Sequence, residues 1–240
     1  TIYGRDGATV FAQYRGLAFP NLEAEARDDL AWFGLVLRTP WVEGEPVALV
    51  AADHPEQARR AAEAIVVEYE VLPAVTDMEL ATVSPAIHDG RPTGGHGYRD
   101  DDRPNVLRSI EIVHGDPDTQ GEVVVSGVYE VGTQDQAFLG PESGLAIPDG
   151  EGGVDIYVAT QWLHVDRDQI APCLALPPEQ VRVHLAGVGG AFGGREDLSM
   201  QVHAALLALH TGRPIKIVYD RSESFVGHVH RHPAKLWMEH

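Results

Sequence analysis

The 240-residue chain holds a single cysteine, Cys173. One thiol cannot close an internal disulfide, and it cannot by itself hold an iron–sulfur cluster. It sits in "DQIAPCLAL", which reads as an apolar helix face, so a buried and inert thiol is expected. Lysine is almost as scarce: Lys216 and Lys235 are the only two, and nearly all the positive charge is arginine. Bases number 18 against 36 acids, for a net charge of −18. The acidity is even, with 16 acids and 8 bases in residues 1–100 and 20 and 10 in the rest. Such a field repels phosphate backbones and argues against nucleic-acid binding; its plain meaning is solubility. No run of about 18 apolar residues occurs, so no membrane span is expected. The start is not of the basic-then-apolar signal-peptide type, and it is Thr1 rather than Met, which suggests processing or a longer parent chain.

Against these absences stands an ordinary globular composition, 44% hydrophobic and 22% charged. Residues 1–40 mix their signals. "EPVALVAA" (Glu45–Ala52) has the length and branching of a strand. A helix is expected after it, with Asp53 as N-cap, Pro55 in the first turn, and Ala58, Ala61, Ala62 and Ile65 as its apolar stripe. "VVEYEVLP" alternates through Val67, Tyr69 and Val71, a second strand closing at Pro73. Residues 88–104 are rich in Gly, Pro and Asp and read as a solvated linker. His88 and His96 lie in it, at a spacing that matches no metal-ligand pattern.

A second module is expected from residue 105. It has a long strand over Glu122–Gln134, a strand over Gly153–Gln161, a helix in "WLHVDRDQIAPCLAL" and a strand over Val181–Val188. Beyond the glycines, a helix carries Leu198, Val202, Ala205, Leu206 and Leu209 on one face and ends at Gly212 and Pro214. "PIKIVYD" follows as a strand.

The stretch "GVGGAFGGRED" (187–197) has five glycines in eleven residues, between a strand and a helix. Backbone amides in such a place favour an anion. Gly189 and Gly194 are spaced as in a phosphate loop, but Arg195 and Glu196 stand where Lys and Ser/Thr belong, and a carboxylate there would repel phosphates. The dinucleotide fingerprint fails because its closing glycine would be Phe192. A bare turn would leave unexplained a phenylalanine between two glycine pairs and a glutamate so close behind them.

This stretch resembles the glycine loop of the molybdenum-binding subunit of xanthine dehydrogenases and aldehyde oxidases, usually Gly-Gly-Gly-Phe-Gly-Gly-Lys-Glu. "GEPVALVAADHPEQARRAAEAIVVEYEVLPAV" resembles that family's small α/β-hammerhead domain. "GTQDQAFLGPESGLAIP", "IYVATQW" and "TGRPIKIVYDRSESFVGHVHRHPA" resemble successive blocks of its first molybdopterin-binding domain, in family order over roughly residues 42–240. The resemblance is strongest to the bacterial, purine-catabolic xanthine dehydrogenases. It implies an α+β fold, with a hammerhead domain and linker over 1–104 and the first part of a molybdopterin-binding domain over 105–240. Ala191 in place of the third loop glycine and Arg195 in place of lysine depart from the family pattern.

The resemblance implies a molybdenum held by a pterin dithiolene, in the simple or the cytosine dinucleotide form, with no direct protein ligand. Gln134 then matches the glutamine that hydrogen-bonds a molybdenum oxygen, although its residue type alone fits an ordinary strand-end amide. Phe192 matches the phenylalanine whose backbone lies at the metal. Gly189, Gly190, Gly193 and Gly194 let the chain approach without a Cβ clash. Glu196 matches the carboxylate that contacts a purine; its other reading is to complement a helix N-terminus. The implied activity is hydroxylation of a purine such as hypoxanthine or xanthine with water-derived oxygen, in purine catabolism in the cytoplasm. Electrons would pass through [2Fe–2S] clusters and FAD on partner chains to NAD. Aldehyde oxidation and oxidation of another N-heterocycle such as nicotinate are the enzymatic alternatives.

The family's glutamate base lies in a Gly-x-Gly-Glu block that this sequence lacks, so no catalytic base is expected within it. The chain reads as a fragment or one piece of a split subunit, inactive by itself. The expected partners are the rest of the molybdenum subunit, an iron–sulfur subunit and a flavin subunit. A non-catalytic pterin-binding or assembly fragment is the alternative of a different class.

Overall fold

The computed structural model describes residues 2–3, 9–12, 46–67, 71, 73–85, 105–106, 111–116, 119 and 121–240. His88, His96, Tyr69 and most of the first 45 residues lie outside that set. The chain divides into two compact units, one of Thr1–Tyr69 with Val131–Ala234 and one of Glu70–Glu130 with Lys235–His240.

The first unit holds two sheets. Strands β1 (Ile2–Tyr3), β2 (Thr9–Ala12) and β3 (Ala48–Ala51) pair antiparallel in that order. Helix α1 (Pro55–Glu63) follows β3. Its N-cap is His54 rather than Asp53: the His54 ring accepts from the Glu56 amide at 3.2 Å, while Asp53 pairs with Arg213 at 2.5 Å. Of the expected stripe, Ala58, Ala61 and Ile65 are half-buried and Ala62 is exposed. Residues 65–67 are not strand, so the described part of the alternating run does not form the second strand expected there.

The larger sheet is mixed, in the order β7 (Val181–Leu185), β6 (Val154–Val158), β5 (Ser143–Pro148), β8 (Ile215–Val218). β5 runs antiparallel to both neighbours, Ala146 facing Ile156 on one side and Ile215 on the other. β6 and β7 are parallel, so they need a crossover, which helix α3 (Leu163–Cys173) supplies. That crossover follows helix α2 (Met78–Ala81) of the second unit in chain order. Alternation along β6 sends Val154, Ile156 and Val158 into the core, where Ala146, Ile170, Ala171, Val181 and Met200 meet them. Helix α4 (Gln201–Thr211) covers the sheet with Ala204, Ala205 and Ala208. Each large aliphatic side chain so buried contributes roughly 1.5–3 kcal/mol. Small residues on α4 let the helix lie close, and Gly144 makes room for Met200, whose Cε and Sδ lie 2.9 Å from where a Cβ would sit.

Gly212 ends α4 in the left-handed conformation at φ 64°, as its sequence position suggests. The helix begins only at Gln201, so Leu198 packs on the core from the preceding loop. Cys173 is exposed. The buried side of α3 runs through Asp166, Ile170 and Ala171; Cys173 shares that face but is the last helical residue. Helix α5 (Arg221–Val226) closes the unit, started by a reciprocal capping box of Asp220 and Glu223.

The second unit contains α2 and a two-stranded ribbon of β4 (Ser126–Val131) with β9 (Ala234–Glu239). β4 is shorter than the strand expected from Glu122. Val125 and His240 extend the ribbon through a reciprocal backbone pair of 2.8 and 2.9 Å. Lys235 reaches Glu79 at 3.0 Å and Glu130 at 3.3 Å. No helix among the described residues is long and apolar enough to cross a membrane.

Candidate cofactor-binding site

Four separate sequence blocks converge in the first unit. Beyond β4, Gln134 forms an isolated bridge with Arg231, with reciprocal backbone bonds of 3.1 and 2.9 Å. The Arg231 guanidinium also donates to Gln134 Oε1 at 2.8 Å. Because arginine can only donate, this contact fixes which end of the amide is oxygen. The Gln134 NH2 group is left without a partner among the described residues.

The glycine stretch leaves β7 and packs on the segment after Gln134. A Cβ on Gly194 would sit 2.8 Å from Cε1 of Phe138 and 3.2 Å from Cδ of Gln136. Ala191 O accepts from Gly194 N at 2.8 Å, and the two residues between, Phe192 and Gly193, have φ of 52° and 86°. Positive φ at both central residues is the type I′ pattern, which Gly193 adopts freely and Phe192 does not. A non-glycine residue held there stores about 1–3 kcal/mol, and such strain clusters at ligand clamps. The Phe192 side chain is 77% exposed. At Gly187, Gly189 and Gly193 nothing among the described residues beyond the chain neighbours lies within 4 Å of where a Cβ would be. Among the described residues, the N–H groups of Gly189 to Gly193 meet no acceptor.

The end of the loop is anchored on both sides. Arg195 O accepts from Gln161 N at 2.9 Å and from Thr160 Oγ1 at 3.3 Å. The buried Arg195 guanidinium donates to Gly140 O at 2.6 Å and lies 3.9 Å from the centroid of the Phe138 ring. Burial pushes its pKa down, and the Glu142 carboxylate opposes that shift. Arg221 completes the frame by donating to Phe138 O and Leu139 O at 2.8 and 3.0 Å. Glu142 is 1% exposed, and neither of its carboxylate oxygens has a hydrogen-bond partner among the described residues. Burial, with Glu142 adding to it, pushes the Tyr219 phenol up to about 12.

Glu196 is half-buried and makes no hydrogen bond or ion pair among the described residues. It stands five positions before α4 begins, so the N-terminus of that helix does not account for it. Sequence reasoning gave no role to Phe138, Arg195, Arg221 and Arg231, which frame the loop and Gln134. For the arginines the signal was present but faint: they stand in a lysine-poor chain.

Residues 98–240 match the molybdopterin cofactor-binding domain family. The chain belongs to that family. It is 37% identical over 198 residues to the nicotinate dehydrogenase large molybdopterin subunit of Eubacterium barkeri, covering 80% of this chain and 44% of that protein. It is 35% identical over 196 residues to a probable xanthine dehydrogenase subunit of Bacillus subtilis, covering 80% and 25%. Among solved structures, the aldehyde oxidoreductase of Desulfovibrio gigas superposes with a TM-score of 0.71 at 28% identity, over 80% of this chain and 21% of that one. The chain thus spans less than half the length of these relatives.

The residues present fit the molybdopterin group. A run of unpaired amide donors, three open glycine positions and the free NH2 of Gln134 suit an anionic group that brings its own metal ligands. From Gly187 to Gly194 no side chain is a thiolate, imidazole or carboxylate.

Proposed function

We propose that this molybdopterin-binding chain forms one side of a molybdenum hydroxylase centre, with the main chain of Gly189–Gly194 against the cofactor. Gly189, Gly190, Phe192, Gly193 and Gly194 bind it through the backbone. Gln134 donates from its NH2 group to an oxygen of the cofactor. The observation that carries this reading is the row of five unpaired amides beside a Gln134 side chain whose other end Arg231 holds. When bound, the molybdenum–pterin group supplies a two-electron couple and oxygen drawn from water. The chain's own residues orient it: Arg195, Gln161 and Thr160 fix the loop, and Arg231 fixes the amide. We assign no proton-abstracting base to this chain.

In the same reading, the N-terminal region is the α/β-hammerhead domain. The rest of the molybdenum subunit, a [2Fe–2S] chain and an FAD chain complete a cytoplasmic complex that reduces NAD. Glu196 meets the substrate, and its half-buried, unpaired carboxylate supports a purine, whose ring N–H groups it can receive. The relatedness to a nicotinate dehydrogenase subunit favours a second reading, a pyridine carboxylate as substrate. Turnover by the intact complex of xanthine, hypoxanthine, nicotinate and an aldehyde decides between them. Glu196→Ala should lower purine turnover far more than aldehyde turnover; equal losses would remove the purine assignment.

A further inference from the structure

Asp135, His228 and His230 bring a carboxylate oxygen and two imidazole nitrogens within 4.8 Å of one another. Neither the site reading nor the family assignment uses this cluster. Asp135 Oδ1 is spent on the Ala137 amide, at 2.6 Å. Asp135 Oδ2 is buried and has no hydrogen-bond partner among the described residues. It faces His230 Nε2 at 3.4 Å and His228 Nε2 at 3.6 Å.

The His228 side chain is 2% exposed and packs edge-on to Phe138, their ring centroids 5.3 Å apart. Its Nδ1–H donates to Ser224 O at 2.5 Å. That bond fixes the tautomer and turns the Nε2 lone pair toward Asp135 Oδ2 and, at 3.2 Å, toward Gln136 Oε1. Around His228 Nε2 the neighbouring atoms are therefore acceptors, and Asp135 Oδ2 among them has no hydrogen bond of its own. Turning the Gln136 amide would satisfy His228 and still leave Asp135 Oδ2 unpaired. A cation at that point would satisfy all three groups.

We propose that Asp135, His228 and His230 bind a divalent first-row transition ion, distinct from the molybdenum. Asp135 Oδ2 lies 3.4 and 3.6 Å from the two imidazole nitrogens, the separation of atoms arranged around an ion at about 2.0–2.2 Å from each. A backbone carbonyl holding the far nitrogen of a ligand histidine is the usual supporting contact, and Ser224 O plays that part for His228. At His230 the ion replaces the proton now shared with Phe225 O, 2.5 Å away, which frees that oxygen as a further donor. Two imidazoles with oxygen donors suit Zn²⁺, Mn²⁺ or Fe²⁺.

The test uses the full-length subunit in its molybdenum-containing complex, stripped with a chelator and then titrated with Zn²⁺. Calorimetry and elemental analysis should find one equivalent bound tightly. Asp135→Asn and His230→Ala should each weaken it by roughly 100-fold, beyond what the other histidines retain. Circular dichroism and thermal melting report whether each variant is folded. Co²⁺ added to the unaltered complex needs no variant, and mixed nitrogen–oxygen coordination should give visible d–d bands stronger than those of the aqueous ion. Absence of tight Zn²⁺ binding, equal binding by folded variants, or a purely aqueous Co²⁺ spectrum would overturn the site.

Discussion

Gly194 packs against Phe138 so closely that a methyl group between them would lie 2.8 Å from the ring. Phe138 is itself buried beneath Arg195, so the ring has no room to withdraw. Gly194→Ala should therefore lift the loop from its bed, at a cost of roughly 1–3 kcal/mol. Denaturant unfolding of the cofactor-free chain measures this. An unchanged midpoint would mean that the loop is not seated on Phe138 as described.

Arg195 joins the loop to the segment after Gln134, and it is a cation near the buried carboxylate of Glu142. Arg195→Met removes the Gly140 bond, the contact with the Phe138 ring and the compensating charge. Losing a charge-assisted hydrogen bond and leaving its buried acceptor unpaired costs about 1.5–3 kcal/mol. Arg195→Lys keeps the charge but not the planar stacking, and should cost less. Equal losses from both would place the importance of Arg195 in its shape and not its charge.

Phe192 stands in left-handed backbone with its side chain in the open. Phe192→Gly should leave the cofactor-free chain as stable as before, or more stable by up to about 1 kcal/mol, because relief of strain offsets the flexibility gained on unfolding. A loss beyond about 1 kcal/mol in urea unfolding would show that the ring contributes packing.

Two aspartates respond to acid in opposite senses. The hydrogen bond from Arg182, with one from His184, holds the Asp155 carboxyl down to about 2 from 3.8. A depressed carboxyl contributes stability above its unfolded pKa, and that contribution is lost as pH falls from about 4 toward 2. Burial pushes Asp166 up instead, partly offset by Thr160 and Gln201. Its contribution is full below the unfolded pKa and lost as pH rises through the folded value. Urea midpoints against pH should flatten at the acid end in Asp155→Asn. Asp166→Asn should gain on the native chain more at pH 7 than at pH 4.

Local signals in the sequence carried the elements whose patterns were strong. The alternation of Val154, Ile156 and Val158 and the Gly212 cap of α4 are found where expected. Propensity misjudged the ends: β4 starts four residues after Glu122, and α4 starts late because residues 191–200 turn to seat the loop. Cys173 was misplaced because it shares the face of Asp166 and Ile170 but is the last residue of the helix, and helical spacing does not say where along a face the covering ends. The glycine stretch was legible as a close approach of backbone to something. That Arg231 holds Gln134, or that Asp135 meets two histidines, was not legible, since these partners are 97, 93 and 95 positions apart and only the fold joins them.

The most direct test of the account is the molybdenum content of the complex carrying Gly189→Val. Among the described residues nothing beyond its chain neighbours lies within 4 Å of the position a Cβ would take at Gly189, and its φ is not in the left-handed region, so the chain itself should fold unchanged. The account predicts loss of most of the bound molybdenum and pterin from the complex, with the cofactor-free chain melting at an unaltered midpoint. Full molybdenum occupancy with full turnover in that variant would contradict it.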